Sequence, residues 1–140
     1  MSEAAAPFAG AIDHVGIAVD DLDAAAEQYR NLLGSEPVHR ERIESQGVEE
    51  VLFRVGDSHV QLLGALGPET AVGRFLAKRG EGLHHVAYRV DDVAAALETL
   101  RRAGVRLVDE TPRPGSRGTT IAFVHPSAFR GVLVELVQGG

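Results

Sequence analysis

Cysteine is absent from this chain of 140 residues, which excludes disulfide bonds and thiolate metal ligands. Any metal site must therefore use histidine, carboxylate or amide side chains. No apolar run approaches the roughly 20 residues that a membrane-spanning helix needs. The first eleven residues, MSEAAAPFAGA, lack the basic segment and the apolar core of a signal peptide. We therefore expect a cytoplasmic protein without a membrane span.

Lysine is almost absent, since Lys78 is the sole one, and with 14 Lys and Arg against 20 Asp and Glu the chain has a formal net charge of −6. Without a basic run, the sequence gives no electrostatic footprint for nucleic acid. Apolar residues make up 44% and charged residues 24% of the chain, as in an ordinary globular protein. We expect a single domain over residues 11–138, preceded by a mobile N-terminal tail over residues 1–10.

The sequence contains its own opening segment twice. Residues 13–25 read DHVGIAVDDLDAA, and residues 84–96 read HHVAYRVDDVAAA. Counted from His14 and His85 onward, seven of twelve positions are identical, at an offset of 71 residues. The period is too long for a solenoid repeat, so it indicates duplication within one domain, with repeats over about 12–66 and 83–137. Equivalent residues of two such repeats meet around an internal axis, and two histidines there suggest a metal site.

Both repeats predict the same order of elements, a strand, a helix and three further strands. Alternation predicts the first strand of each repeat, the Asp-Asp pairs cap the helices, and Gly34 and Gly104 end them. The predicted fold class is α+β, with two βαβββ repeats forming a curved mixed sheet around a metal site in its hollow. The predicted strands are 13–19, 36–43, 49–55, 58–64, 84–90, 105–109, 119–124 and 131–137, and the predicted helices are 22–33, 69–79 and 93–102.

Strand alternation assigns the candidate ligands to one face. His14 shares a row with small residues, and His85 takes the same place in the second repeat. Gln61 and Glu135 are single polar residues within matching apolar strands, and a buried charge is costly unless it is paired or bound to metal. Two imidazoles, an amide and a carboxylate suit a divalent metal, and cobalt(II), manganese(II), nickel(II) and zinc(II) all fit this ligand set. The same alternation places Glu50, rather than Glu49, towards the hollow.

Each candidate has a structural alternative from the residues alone. A single histidine in a half-buried strand is commonly structural, and Glu50 can be a solvated strand carboxylate. His84 points away from His85, and His59 has no counterpart in the second repeat, so neither is expected to bind metal. A metal-free small-molecule-binding protein therefore remains open as a function.

The repeated segments resemble the vicinal oxygen chelate superfamily, which includes glyoxalase I, and within it the methylmalonyl-CoA epimerases. The resemblance covers nearly the whole chain beyond the first ten residues. His-Val-Gly is common across the superfamily, whereas Gln61, the Gln-Gly-Val-x-Glu segment and Gly-Leu-His-His are more specific. The matching stretches are 12–19, 46–50, 60–63, 75–78, 82–88, 121–126 and 131–136.

The resemblance implies an isomerase of propionate metabolism that interconverts (2R)- and (2S)-methylmalonyl-CoA, and it suggests a homodimer. It assigns a divalent metal to the positions of His14, Gln61, His85 and Glu135. It assigns proton transfer at C2, through a metal-stabilised enolate, to Glu50 and Glu135. A glyoxalase I-like lactoylglutathione lyase, or another metal-dependent member of the superfamily, is the alternative reaction.

The acyl-CoA substrate needs cations and backbone donors. The loop Arg113–Gly118 contains two arginines among turn residues, so we expect substrate contacts at Arg113, Gly115, Ser116 and Arg117, with Lys78 as a phosphate contact. A simple polar hairpin loop is the alternative. Residues 117–120 depart from the Asn or Ser followed by Arg or Lys that relatives tend to carry, which leaves the contacts of this loop open.

Overall fold

The computed structural model describes residues 10–140, so the predicted tail lies, apart from Gly10, outside the described residues. The described chain divides into two compact units. The first unit contains residues 14–84, and the second contains residues 10–13 together with 85–140. None of the described helices has both the length and the apolar character that crossing a membrane requires.

The first unit contains the first βαβββ repeat and a further helix. Asp21 caps the first helix by accepting from the backbone N–H of Ala24, and Gly34 ends it in the left-handed conformation with φ 68°. A short 3-10 turn over Glu44–Gln46 joins the second and third strands. The elements are β1 (Ile12–Ala18, its first two residues in the second unit), α1 (Leu22–Leu33), β2 (His39–Ile43), β3 (Val48–Val55), β4 (Ser58–Ala65) and α2 (Ala71–Arg79).

The second unit repeats this order. Asp92 caps its helix through the N–H of Ala95, as Asp21 does in the first repeat. The elements are β5 (Gly82–Arg89, its first three residues in the first unit), α3 (Val93–Arg102), β6 (Arg113–Pro114), β7 (Thr120–Val124) and β8 (Val134–Gln138).

Strand pairing confirms the duplication. In the first unit the order is β2-β3-β4-β1, with β1 and β4 parallel and the other pairs antiparallel. In the second unit the order is β6-β7-β8-β5, with β5 and β8 parallel and the others antiparallel. Each repeat therefore builds a mixed four-stranded sheet of the same topology, as the sequence predicts.

The predicted strand over 105–109 is wrong. Within that segment the structure has an isolated bridge between Leu107 and Val124, and the β6 strand lies later, at Arg113–Pro114. The N–H of Val105 bonds the carbonyl of Leu100 at the end of α3, which keeps the chain at the helix. The Asp109 carboxylate then accepts from the N–H of Phe123 at 2.8 Å, so a side chain takes the place of a strand carbonyl.

The helix of each repeat covers one face of its sheet with apolar side chains. In the first unit Val51, Phe53 and Leu62 are buried against α1. In the second unit α3 contributes Leu97 and Leu100 to the equivalent cluster. Residues that alternate with these rows must point to the opposite face, which leaves that face of each sheet for the polar candidates.

Candidate active site

The first half of the candidate ligand set lies on the parallel pair of β1 and β4. Gln61 is opposite Gly16, which follows His14 by two residues, so His14 and Gln61 lie on the same face. Both side chains are buried, with His14 3% and Gln61 7% exposed. Glycine at position 16 keeps this row free of bulk between the two polar groups.

The second half has the same register. Glu135 is opposite Ala87, which follows His85 by two residues. Both side chains are buried, and His85 Nε2 lies 3.0 Å from Glu135 Oε1. The Phe123 ring meets the His85 ring edge-on, with their centroids 5.5 Å apart, and fixes the plane of the imidazole. His85 and Glu135 are therefore the topological equivalents of His14 and Gln61.

Glu50 forms a buried pair with Gln61 on this face of the first unit. It lies on β3 opposite Leu63 and has no solvent exposure. Gln61 Nε2 donates to Glu50 Oε1 at 2.6 Å. This bond turns the amide so that Gln61 Oε1 points away from Glu50. Among residues 10–140, neither Gln61 Oε1 nor Glu50 Oε2 receives a hydrogen bond, so two buried acceptors remain available for a ligand.

The two adjacent glutamates of β3 differ sharply, as the sequence predicts. Glu49 points to the other face, where its Oε2 accepts from Arg40 Nε at 2.8 Å. Arg40 also contacts Asp23 of α1 at 2.8 Å. The Glu49 and Asp23 carboxylates raise the pKa of the Arg40 guanidinium above its usual value. Glu49 thus belongs to a surface ion network, whereas Glu50 is buried beside Gln61.

Two further side chains of β2 approach Glu50. Glu41 is directly opposite Glu50 in the antiparallel register, and His39 is two residues earlier on the same face. His39 Nε2 lies 2.8 Å from Glu41 Oε1 and 3.9 Å from Glu50 Oε2. No motif in the sequence predicts either residue, because their approach to Glu50 depends on the β2–β3 register.

The carboxylate of Glu50 has no counterpart in the second unit. On β3, Leu52 pairs with Gln61, and Glu50 comes two residues before Leu52. On β7, Phe123 pairs with Glu135, and Ile121 comes two residues before Phe123, so Ile121 occupies the position that corresponds to Glu50. Ile121 is 2% exposed and packs with apolar neighbours. One repeat therefore has a buried acid where the other has an aliphatic side chain.

Asp13 is a third buried carboxylate, after Glu50 and Glu135, and the sequence does not predict it. Its side chain is buried, and both oxygens meet arginines of the second unit. Arg89 Nη2 donates to Oδ1 at 3.1 Å, and Arg117 Nη2 donates to Oδ2 at 2.9 Å. The sequence contains one indication of a special role for Asp13, because the two repeats differ at this position and the second has His84 there.

The loop with the predicted substrate contacts is tightly built. A Cβ at Gly115 would lie 2.5 Å from Thr119 Oγ1, so this close approach requires glycine. Thr119 Oγ1 donates to the carbonyl of Ser116, whose side chain is buried. Arg117 has the left-handed φ of 56°, and its guanidinium donates to Asp13. The guanidinium of Arg113 lies 3.6 Å from Asp109 Oδ1. Arg117 thus holds this loop to Asp13.

Of the remaining histidine and lysine candidates, His59 shares the face of His14 and Gln61. The His84 ring packs edge-on against Phe75 at 4.9 Å between centroids, and Arg79 covers the same phenylalanine ring. His59 is half-buried opposite His14 in the β1–β4 register. Lys78 is exposed near the end of α2.

Comparison with known proteins identifies the family of this chain. Residues 13–123 match the model of the Glyoxalase/Bleomycin resistance protein/Dioxygenase superfamily. An ethylmalonyl-CoA/methylmalonyl-CoA epimerase of Cereibacter sphaeroides is 40% identical over 131 residues, which cover 92% of this chain and 98% of that protein. The chain belongs to this superfamily and, within it, to the methylmalonyl-CoA epimerase family. The resemblance and the vicinal oxygen chelate fold that the sequence predicts are thus confirmed.

Solved structures give the same result. A methylmalonyl-CoA epimerase in complex with methylmalonyl-CoA and NH4+ is 45% identical, with a TM-score of 0.90, and the match covers 93% of this chain and 94% of that one. A Streptomyces coelicolor methylmalonyl-CoA epimerase variant in complex with 2-nitronate-propionyl-CoA is 44% identical, with a TM-score of 0.89 and coverage of 92% and 94%. Epimerases are isomerases, so the predicted enzyme class is also confirmed.

Proposed function

We propose that this enzyme interconverts (2R)- and (2S)-methylmalonyl-CoA by removing the proton at C2 and returning one to the opposite face. The observation that carries the proposal is Glu50 Oε2, a fully buried carboxylate oxygen that receives no hydrogen bond among the described residues. A buried acceptor of this kind is costly in a structural role and useful in a base. The complex of a 45%-identical epimerase with methylmalonyl-CoA supports the substrate class.

We further propose that His14, Gln61, His85 and Glu135 hold a divalent metal. These residues fit such an ion, because Gln61 offers a buried amide oxygen without a donor in the described chain. His85 and Glu135 add a buried imidazole and carboxylate only 3.0 Å apart. Nitrogen and oxygen ligands without thiolates suit cobalt(II) or manganese(II), and also nickel(II) or zinc(II). A bound metal would supply Lewis-acid stabilisation of the negative charge that develops on the substrate oxygens.

Glu50 is the proposed base for one face of the substrate. Gln61 holds its Oε1, which leaves Oε2 to accept the proton from C2. The hydrogen bond fixes the carboxylate plane, so little reorientation is needed before proton transfer. The burial of Glu50 excludes bulk water, and the carboxylate that receives the proton can return it to the same face.

Glu135 is the proposed acid and base for the other face. Inversion at C2 requires one group on each side of a planar intermediate, and the second repeat supplies no other carboxylate at the equivalent strand positions. When Glu50 removes a proton from one epimer, Glu135 delivers a proton to the opposite face. The reverse reaction exchanges the two roles.

We propose substrate contacts at the loop of the second unit. Arg113, Gly115 and Ser116 would contact the acyl-CoA, with Arg117 acting through its bond to Asp13 to hold the loop. Lys78 is exposed and would meet a phosphate of the CoA. A cytoplasmic homodimer serving propionate metabolism remains part of this proposal.

The test is incorporation of solvent deuterium at C2 of (2R)-methylmalonyl-CoA in D2O, followed by NMR or mass spectrometry. We expect deuterated product of both configurations, and loss of the reaction after chelation that the addition of cobalt(II) restores. Ethylmalonyl-CoA, assayed in parallel, defines the tolerance for the C2 alkyl group. The hemithioacetal of methylglyoxal and glutathione is the control substrate. Its turnover, without exchange at C2 of either malonyl thioester, would contradict the proposal in favour of a lactoylglutathione lyase.

A further inference from the structure

Glu41 and Glu50 bring two carboxylates together on neighbouring strands, with the His39 ring beside both. They are directly opposite each other on β2 and β3, where side chains on the same face approach closely. Like charges in this arrangement destabilise a sheet. His39 Nε2 lies beside both, 2.8 Å from Glu41 Oε1 and 3.9 Å from Glu50 Oε2. The three side chains therefore place one nitrogen and two oxygens around a common point.

The spacing of these atoms matches a metal ion. Each of the three residues offers one ligand atom, and these atoms all lie within 4.8 Å of one another. Tetrahedral zinc with bonds of about 2.0–2.2 Å separates its ligand atoms by about 3.4 Å. The hydrogen bond of 2.8 Å between His39 and Glu41 and the distance of 3.9 Å between His39 and Glu50 lie on either side of that value, so an ion that replaces the hydrogen bond needs only small side-chain rotations.

A second observation points independently to a ligand at this place. Glu50 is fully buried, and its Oε2, the oxygen on the His39 side, has no hydrogen-bond donor within residues 10–140. An ionised oxygen in such a place needs a positive partner. The His39 and Glu41 side chains are 32% and 37% exposed, so an ion can enter from solvent and keep a water molecule as its fourth ligand.

We propose that His39, Glu41 and Glu50 form a second, inhibitory zinc site, separate from the four-residue metal site. Zinc bound there uses the Glu50 oxygen that the proposed function needs as a base, so occupation stops proton transfer. The inhibitory effect rests on the proposed function, whereas binding of zinc by the three residues does not. No bond of the substrate changes at this site, since the metal acts only by occupying the carboxylate.

Binding is tested by counting zinc. The enzyme is saturated with cobalt(II), dialysed against micromolar free zinc, and analysed for both metals. We expect the wild type to retain one more equivalent of zinc per chain than H39Q or E41Q. The matched control is E49Q, which removes a carboxylate from the same strand on the opposite face and should bind zinc as the wild type does. Equal zinc content in the wild type, H39Q and E41Q would overturn the proposal.

Inhibition is tested on the same four proteins, each compared with its own rate in the absence of added zinc. We expect the half-inhibiting zinc concentration to rise at least about tenfold in H39Q and E41Q, since losing even an outer partner of a metal ligand costs 10–100-fold in affinity. An unchanged value in both variants would overturn the inhibitory role. If the enzyme does not epimerise methylmalonyl-CoA at all, the proposed function fails, and the zinc count still decides the site.

Discussion

The two repeats have the same topology and differ in one buried pair. In the first repeat, Gln61 is hydrogen-bonded to the acidic side chain of Glu50. In the second repeat, Glu135 stands at the position of Gln61, and the aliphatic Ile121 stands at the position of Glu50. A carboxylate at position 61 would lie about as close to Glu50 as the amide does, and two carboxylates at such a distance cannot both ionise. The Gln61 amide instead donates a hydrogen bond to Glu50, whereas the second repeat has the aliphatic Ile121 at the position that corresponds to Glu50.

The largest expected effect on turnover follows from removing the Glu50 carboxylate, which the first repeat has and the second lacks. E50Q should lose about a thousandfold in turnover, since a positioned general base contributes about 10²–10⁴-fold. The cobalt content at the proposed four-residue site should be unchanged, because Glu50 is outside that set. Steady-state kinetics with elemental analysis measures both. E49Q is the matched control and should retain its activity, and an E50Q enzyme with near-normal turnover would refute the role of Glu50.

Replacing Gln61 by glutamate, the residue at the equivalent position of the second repeat, should have the second-largest effect on turnover. Q61E places a second carboxylate 2.6 Å from the acceptor of the present hydrogen bond, so the pair would share a proton. We expect turnover at neutral pH to fall by about a hundredfold, which is about 2.7 kcal/mol in the barrier. The loss should shrink as the pH rises and the shared proton leaves. A pH–rate profile identical to that of the wild type would contradict this explanation.

The residues just before the two repeated histidines provide a comparison in stability. D13A removes a buried carboxylate from two arginines, and breaking such a pair costs 3–5 kcal/mol when both partners are buried. Because Arg89 is 39% exposed and Arg117 16%, we expect a smaller loss of about 2 kcal/mol. H84A removes one ring contact with Phe75 and should cost about 1 kcal/mol. Urea unfolding of both variants measures the difference, and equal losses would contradict the structural role of Asp13.

The smallest effect is expected at the surface network that holds Glu49. R40Q breaks contacts with Glu49 and Asp23 that are open to solvent, and exposed ion pairs contribute about 0–1 kcal/mol. Its free energy of unfolding should therefore fall by less than about 1 kcal/mol, and the difference should decrease in high salt. A larger, salt-independent loss would indicate that Arg40 supports β3 by packing.

The predictable parts of the molecule are those with local signals. Both long helices begin after a capping aspartate, and their predicted bounds match the structure. The predicted strand over 105–109 is wrong because the Asp109 carboxylate accepts a hydrogen bond from the N–H of Phe123. The alternation of apolar and polar residues does not predict such a contact. Alternation did separate Glu50 from Glu49, because the pleat fixes which side chains share a face.

The parts of the site that could not be predicted depend on pairing over long distances. The meeting of Asp13 with Arg117 joins residues 104 positions apart, and no periodicity relates them. The approach of His39 to Glu50 depends on the register of β2 against β3, which the turn over Glu44–Gln46 sets. A shift of one residue would have turned His39 to the other face.

Glu50, which has no equivalent in the second repeat, and Glu135, which is equivalent to Gln61, are proposed to act on opposite faces of the substrate. The most direct test of this proposal follows deuterium exchange at C2 in the E50Q enzyme, with (2R)- and (2S)-methylmalonyl-CoA supplied separately in D2O. We expect one epimer still to exchange its C2 proton for deuterium, through Glu135, whereas the other epimer does not exchange and inversion is lost. Inversion of both epimers at the wild-type rate would contradict it.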